Sequence, residues 1–159
     1  MRLSVRTVLD APAARVWDEV RLPRLWLHVS APLLAFDPID PPALPETWLE
    51  GRYRVRMRLF GVLPIGCQWV VTSMPRPEDH ERGVYRIRDE GSGDIVQVWD
   101  HRVVIRARDD GRTGYRDDVE VRAGPWTPLV WAFAHVFYRY RQARWRALAR
   151  RGFRYPAGR

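Results

Sequence analysis

One stretch of this 159-residue chain leaves little choice of conformation. After Pro128 neither glycine nor proline occurs until Gly152, so the segment from Pro125 to Arg151 is predicted to be one long helix. Thr127 is placed to cap its first turn, Pro128 suits the first helical position because its missing N–H would be unpaired there, and Gly152 can close the far end. Val130, Phe133, Phe137, Tyr140 and Ala147 recur at the spacing of a single face, while Arg139, Arg146 and Arg150 fall elsewhere on the wheel. A helix of this kind needs an apolar partner.

The rest of the chain offers a sheet as that partner. Residues 2–9 alternate in polarity as a half-buried strand does, and Pro12 opens a short helix carrying Val16, Trp17 and Val20. A second helical segment is predicted between Leu22 and Phe36, bracketed by Pro23 and Pro32. Residues 37–48, with Pro38, Pro41, Pro42 and Pro45, are expected to be a loop. From Glu50 the period changes to two: Tyr53, Val55, Met57 and Leu59 alternate with four arginines, the clearest strand in the chain. Its partner returns from Ile65 to Met74, and setting Leu59 opposite Ile65 places Met57 against Cys67 and Val55 against Trp69. An exposed loop is expected at 75–82. Three further strands are predicted at 84–89, 94–108 and 113–122, joined by turns at 90–93 and 109–112.

The expected fold is therefore α+β: a curved antiparallel sheet of six or seven strands wrapped on a long C-terminal helix, with two short helices after the first strand. A five-strand meander alone would leave an apolar face wet, so the helix must cross the inner face and the first strand must join an edge. Residues 1–152 form a single domain on this reading, and 153–159 a basic tail.

Composition narrows the function classes. Cys67 is the sole cysteine, which excludes an intrachain disulfide or a cysteine-based zinc site. His28 and His135 have Pro32 and Arg139 four residues on, so no His-x-x-x-His pair exists and no metal site is expected. No glycine-rich phosphate cradle or nucleophile elbow occurs, and no cofactor is expected. The N-terminal segment lacks a continuous apolar core and no run approaches a membrane span, so a soluble, cytoplasmic protein is expected. The net charge of +8 is confined to the C-terminal end. Eight arginines lie from Arg139 onward, no acid follows Glu120, and without those eight the basic and acidic counts are equal at 19. Every basic residue is arginine. Most of the C-terminal ones are assigned to a solvated helix face; an anionic membrane surface or a nucleic acid is the lesser reading.

The order of elements, with particular residues in it, resembles the START-like (SRPBCC) superfamily, the helix-grip fold of polyketide cyclases, lipid-transfer START domains and the birch-pollen allergen. The residues that carry the likeness are Ala11-Pro12 followed by Val16-Trp17, Gly51 at a strand entry, Trp99-Asp100-His101, and Thr113 with Asp117-Asp118-Val119 before the long helix. It is most similar to the bacterial ligand-binding subgroup. The resemblance covers residues 2–151 and implies a hydrophobic ligand held between sheet and helix, with chemistry in some members only.

Strand alternation predicts which side chains reach that space. Tyr53, Met57, Trp69, Tyr85, Gln97 and Trp99 are expected there with His101, Tyr115 and Asp117, and the helix should add Phe133 and Phe137. The same rings could simply fill the core. Pairing Ile105 with Asp117 puts His101 opposite Val121, about four residues or ~13 Å along the ladder from Asp117, so no direct bond between the two is expected. Three functions are weighed: a binder or carrier of a hydrophobic small molecule or lipid first, a cyclase- or dehydratase-like enzyme using His101 second, and an arginine-mediated interaction module third. No catalytic residue is assigned, and oligomeric state is left open.

Overall fold

A computed structural model describes residues 1–74 and 83–156; the loop expected at 75–82 lies outside the described residues. The elements run β1 (Arg2–Leu9), α1 (Ala13–Val20), α2 (Pro23–Ser30), β2 (Leu34–Asp40), β3 (Gly51–Leu59), β4 (Leu63–Ser73), β5 (Val84–Gly93), β6 (Val98–Ala107), β7 (Thr113–Arg122) and α3 (Thr127–Arg150). The strands form one antiparallel sheet in the order β1-β7-β6-β5-β4-β3-β2. The first strand thus joins the edge beside the last, as the meander requires.

The seventh strand is β2, at the opposite edge, where the end of the second helical segment and the start of the proline-rich loop are expected. α2 stops at Ser30 because Ala31 precedes Pro32 and takes an extended backbone, which disfavours another helical turn. The chain then pairs with β3, Leu34 opposite Leu59, Phe36 opposite Met57 and Pro38 opposite Val55, with a bulge between Pro38 and Asp40. An edge strand has one side without ladder partners, so the missing N–H of Pro38 is tolerated.

Two registers differ from the expected ones. β4 carries one extra residue between the Arg58–Pro64 and Arg56–Cys67 pairs, where Gly66 adopts φ +96°. Beyond this bulge Val55 faces Gln68 and Tyr53 faces Val70. A slip of one residue reverses every later side chain, so Gln68, Val70 and Thr72 turn inward and Trp69 outward. The second change lies between β6 and β7, where Ile105 pairs with Tyr115, Val103 with Asp117 and His101 with Val119. That slip of two residues keeps the faces but shortens the separation of His101 and Asp117 to one diagonal step. In addition, β5 runs on to Gly93, so the turn falls at residues 94–97 rather than 90–93.

α3 begins and ends much as its sequence implies, though Thr127 does not occupy the cap. Trp126 holds that position, and the Thr127 hydroxyl fastens the preceding turn, donating to Gly124 O at 2.7 Å and accepting from Ala123 N at 2.8 Å. Gly152, at φ +61°, closes the other end and donates to Ala149 O. The buried side of α3 is Ala134, Phe137, Tyr138, Gln142, Trp145, Leu148 and Ala149; Ala147 is exposed and Tyr140 only half-buried. The stripe drawn from the bulkiest apolar residues was rotated, because Gln142 and Trp145 take inward positions.

The α3 backbone comes close to β1, β7 and α2, and over β3 to β6 it stays farther off, reached there by side chains alone. Toward its C-terminal end the space beneath is filled by Trp145, Leu148 and Phe153 against Val16, Trp17, Leu25 and Ile105. Toward its N-terminal end Phe137 and Tyr138 meet Leu3, Val5 and Val119, while Phe133 and Val130 remain partly buried. The gap over β3 to β6 is where a cavity opens.

Candidate functional site

That cavity consists of two adjoining chambers. The outer one, of about 380 Å³, is bordered by Leu34, Phe36, Met57, Leu59 and Ile65 from one half of the sheet, by Trp99 from the other, and by Val130, Phe133 and Phe137 from α3. Its size falls within the range of small-molecule pockets and its lining is mostly apolar. Leu129 and Ile95, 64% and 41% exposed, also border it and mark its mouth. The other, named the inner chamber for its small size of about 70 Å³, adjoins it, and all its bordering residues are buried or half-buried. Tyr115, Asp117, Gln142, Thr72 and Trp145 give it a polar character. Both chambers share Trp26, Val70, Asp89, His101 and Arg141, which therefore form the neck between them.

A hydrogen-bonded group is built around Asp117, which is 1% exposed. His101 Nε2 lies 2.7 Å from its Oδ1, the Tyr115 hydroxyl donates to the same oxygen at 3.3 Å, and the Gln142 amide donates to Oδ2 at 2.8 Å. Gln142 also donates to Val5 O at 2.9 Å, which ties α3 to β1 at this point. Burial alone would raise the Asp117 carboxyl, but the bond from His101 and the charge that ring carries in acid, where the carboxyl titrates, then Arg141 and Gln142, outweigh it and hold the pKa below its ordinary value. Burial pushes His101 down, only partly offset by Asp117. A neutral imidazole beside an ionised carboxylate must carry its proton on Nε2, since the carboxylate can only accept. The tautomer assigned this way leaves Nδ1 unprotonated on a ring that borders both chambers. The expectation that the two residues do not bond is thus corrected, through the register of β6 and β7.

Asp89 is placed by an interruption in another ladder. Pairing of β4 with β5 holds at Trp69–Ser92 and at Thr72–Asp89, and between them the Val71 amide donates to Asp89 Oδ1 at 2.8 Å. Desolvation is the main reason that its pKa rises to about 7, opposed by the Val71 bond and by the charge of Arg141. The Arg141 guanidinium lies over the rings of Tyr138 and Phe137, at 5.0 and 5.6 Å from their centroids. No ion pair or hydrogen bond joins it to a carboxylate among the described residues. Trp99 completes this wall by donating from Nε1 to the Tyr138 hydroxyl at 3.2 Å.

The residues expected at the site divide as follows. Met57, Trp99, His101, Phe133 and Phe137 border the outer chamber, and His101, Tyr115 and Asp117 the inner one. Tyr53 is buried instead against Trp48, Val55 and Val70, and Tyr85 stacks on Trp17 at 5.5 Å; neither borders a chamber. Trp69 is corrected to the outer face, where Arg52 and Arg54 lie over its ring at 4.6 and 5.7 Å. Gln97 is corrected to an exposed position in the turn after β5, its backbone N–H donating to Arg122 O. Arg141, Gln142 and Asp89 were not singled out, although signals for them exist. Arg141 continues the 133-137 step by four more residues, Gln142 lies four beyond Tyr138, and Asp89 extends the parity of Tyr85 and Ile87.

Among the described residues no group of three or more His, Cys, Asp or Glu side chains is placed to hold a metal, and no described helix is long and apolar enough to cross a membrane. No family model and no curated protein matches the chain. Solved structures do match over nearly its full length. A protein from Chromobacterium violaceum, CV1439, superposes with a TM-score of 0.69 at 14% identity, covering 93% of this chain and 96% of the other. The Zhui aromatase/cyclase from Streptomyces sp. R1128 gives 0.65 at 15% identity, covering 99% and 98%. A START superfamily protein from Mycobacterium smegmatis gives 0.55 at 15%, covering 94% and 97%. With the seven-stranded sheet, the two short helices and the long terminal helix, these likenesses identify the architecture: the chain has the START-like helix-grip fold.

Proposed function

We propose that this protein binds a hydrophobic small molecule, whose apolar body occupies the outer chamber and whose polar end meets the neck. The observation that carries the reading is the 380 Å³ chamber itself, lined by Phe133, Phe137, Met57 and Trp99, with its mouth at Leu129 and its polar groups gathered at the far end. Apolar walls supply affinity roughly in proportion to the area they cover, and a few convergent polar groups set orientation. The fold it shares with a START superfamily protein and an aromatase/cyclase is consistent with a ligand held in this place. Native mass spectrometry on gently purified protein, followed by solvent extraction, tests it: a small-molecule passenger released on denaturation is expected. An unliganded mass, with no uptake of apolar compounds added afterwards, would falsify the reading.

A second reading, proton-transfer chemistry on a bound substrate, is favoured by one feature. An ionised Asp117 orients a neutral His101 and leaves Nδ1 free to accept a proton, the arrangement of a general base. If it operates, His101→Ala should bind a carbonyl-bearing ligand with near-normal affinity and lose exchange of its α-hydrogens, followed by NMR in heavy water. Exchange unchanged in the variant would leave binding as the only role.

A further inference from the structure

The polar end of the cavity is unevenly supplied. Its carboxylates are already engaged: Asp117 receives bonds from His101, Tyr115 and Gln142, and Asp89 receives one from Val71, while His101 Nδ1 stays an open acceptor. Two of its donors are not engaged. Arg141 borders both chambers, its guanidinium is held by the faces of two rings, and no carboxylate closes an ion pair with it among the described residues. Trp145 borders the inner chamber, is 2% exposed, and its indole N–H is a buried donor with no partner. A buried indole N–H left unpaired is costly, and the half-buried Arg141 guanidinium has donors to spare beside it. Two spare donors on one small polar chamber call for an acceptor from outside the chain.

Resting on the binding proposed above, we propose that the ligand is an organic acid: its carboxylate passes the neck and is held by the Arg141 guanidinium and the Trp145 indole N–H, while its apolar body stays in the outer chamber. The inner chamber, at about 70 Å³, has room for a head of that size and not for a fused ring system. Asp89 stands on the same neck, and a carboxyl that keeps its proton up to neutrality does not repel an incoming anion and can donate to it. Asp117 borders the same chamber, and its charge is engaged by three donors. An aliphatic chain and an aromatic body would present the same carboxylate, so both are tested.

Isothermal titration at pH 6 compares decanoate with decanol, and 2-naphthoate with 2-naphthalenemethanol. In at least one pair the acid should bind at least about tenfold more tightly than its alcohol, as hydrogen bonds to a charged group imply; which pair responds tells chain from ring. Arg141→Met should bring the members of that pair to within about twofold by weakening the acid alone, and Trp145→Phe should weaken the acid by about threefold. Equal or tighter binding of the alcohols to the unaltered protein overturns the proposal, as does an acid preference that survives Arg141→Met. Should that variant fail to fold by circular dichroism, the wild-type comparison and Trp145→Phe decide. If all four compounds fail to bind, the binding reading itself falls and takes this one with it.

Discussion

Asp89 is a carboxyl that the fold keeps at a cost. Its folded pKa, near 7, lies above the ordinary 3.8, so over that interval the folded chain holds a proton that the unfolded chain has released. The contribution to stability is therefore complete below about pH 4 and is lost as pH rises through 7. Asp89→Asn, which keeps an acceptor for the Val71 amide and carries no charge, should be more stable than the parent at pH 8.5 by about 1–2 kcal/mol and little different at pH 4. Urea unfolding at the two pH values measures this. The neighbouring His101 has the opposite sign: burial lowers it, so its contribution holds above pH 6.5 and declines as pH falls below that. Groups that destabilise a fold and border a cavity are the ones that binding can repay.

At the scale of elements, the meeting of β4 and β5 depends on two glycines. A Cβ on Gly93 would stand 2.4 Å from Cys67 O, and one on Gly91 2.8 Å from Trp69 O. Gly93→Ala should lower stability by about 2–3 kcal/mol or more by forcing the strands apart, whereas Gly114→Ala, whose Cβ has 3.8 Å to Arg106 O, should change it by less than about 1 kcal/mol. The midpoints of denaturant unfolding distinguish them. These ladders also show what alternation can and cannot reveal. Within β3, β6 and β7 polarity alone put Met57, His101, Tyr115 and Asp117 on the inner face. What it could not reveal was register, which depends on backbone geometry at one residue: Gly66 inserts the bulge that sends Trp69 outward and brings Gln68 in. The His101–Asp117 bond was hidden for the same reason, since a slip of two residues changes no side chain's face and so leaves no mark on the hydrophobic pattern. β2 was concealed by Pro38, which ordinarily argues against a strand and is harmless only at an edge.

Over the whole molecule, the long helix and the meander were legible because each has a period that a dozen residues repeat. The cavity was not, because whether aromatic rings fill a space or merely line it depends on where the helix axis lies, and α3 lies over β1 and β7 rather than over the middle of the sheet. Filling that space should separate stability from binding. Val130→Trp, projecting into the outer chamber, should leave the melting temperature equal or raise it, by about 0.5–1 kcal/mol of added burial, while lowering uptake of apolar ligands at least about tenfold. Scanning calorimetry and the titrations above report the two quantities; undiminished uptake would place the ligand elsewhere. The unequal size of the two chambers has a consequence for shape. A guest that fills both must taper toward one end, so a molecule branched beside its head is refused however well its middle would have suited the walls.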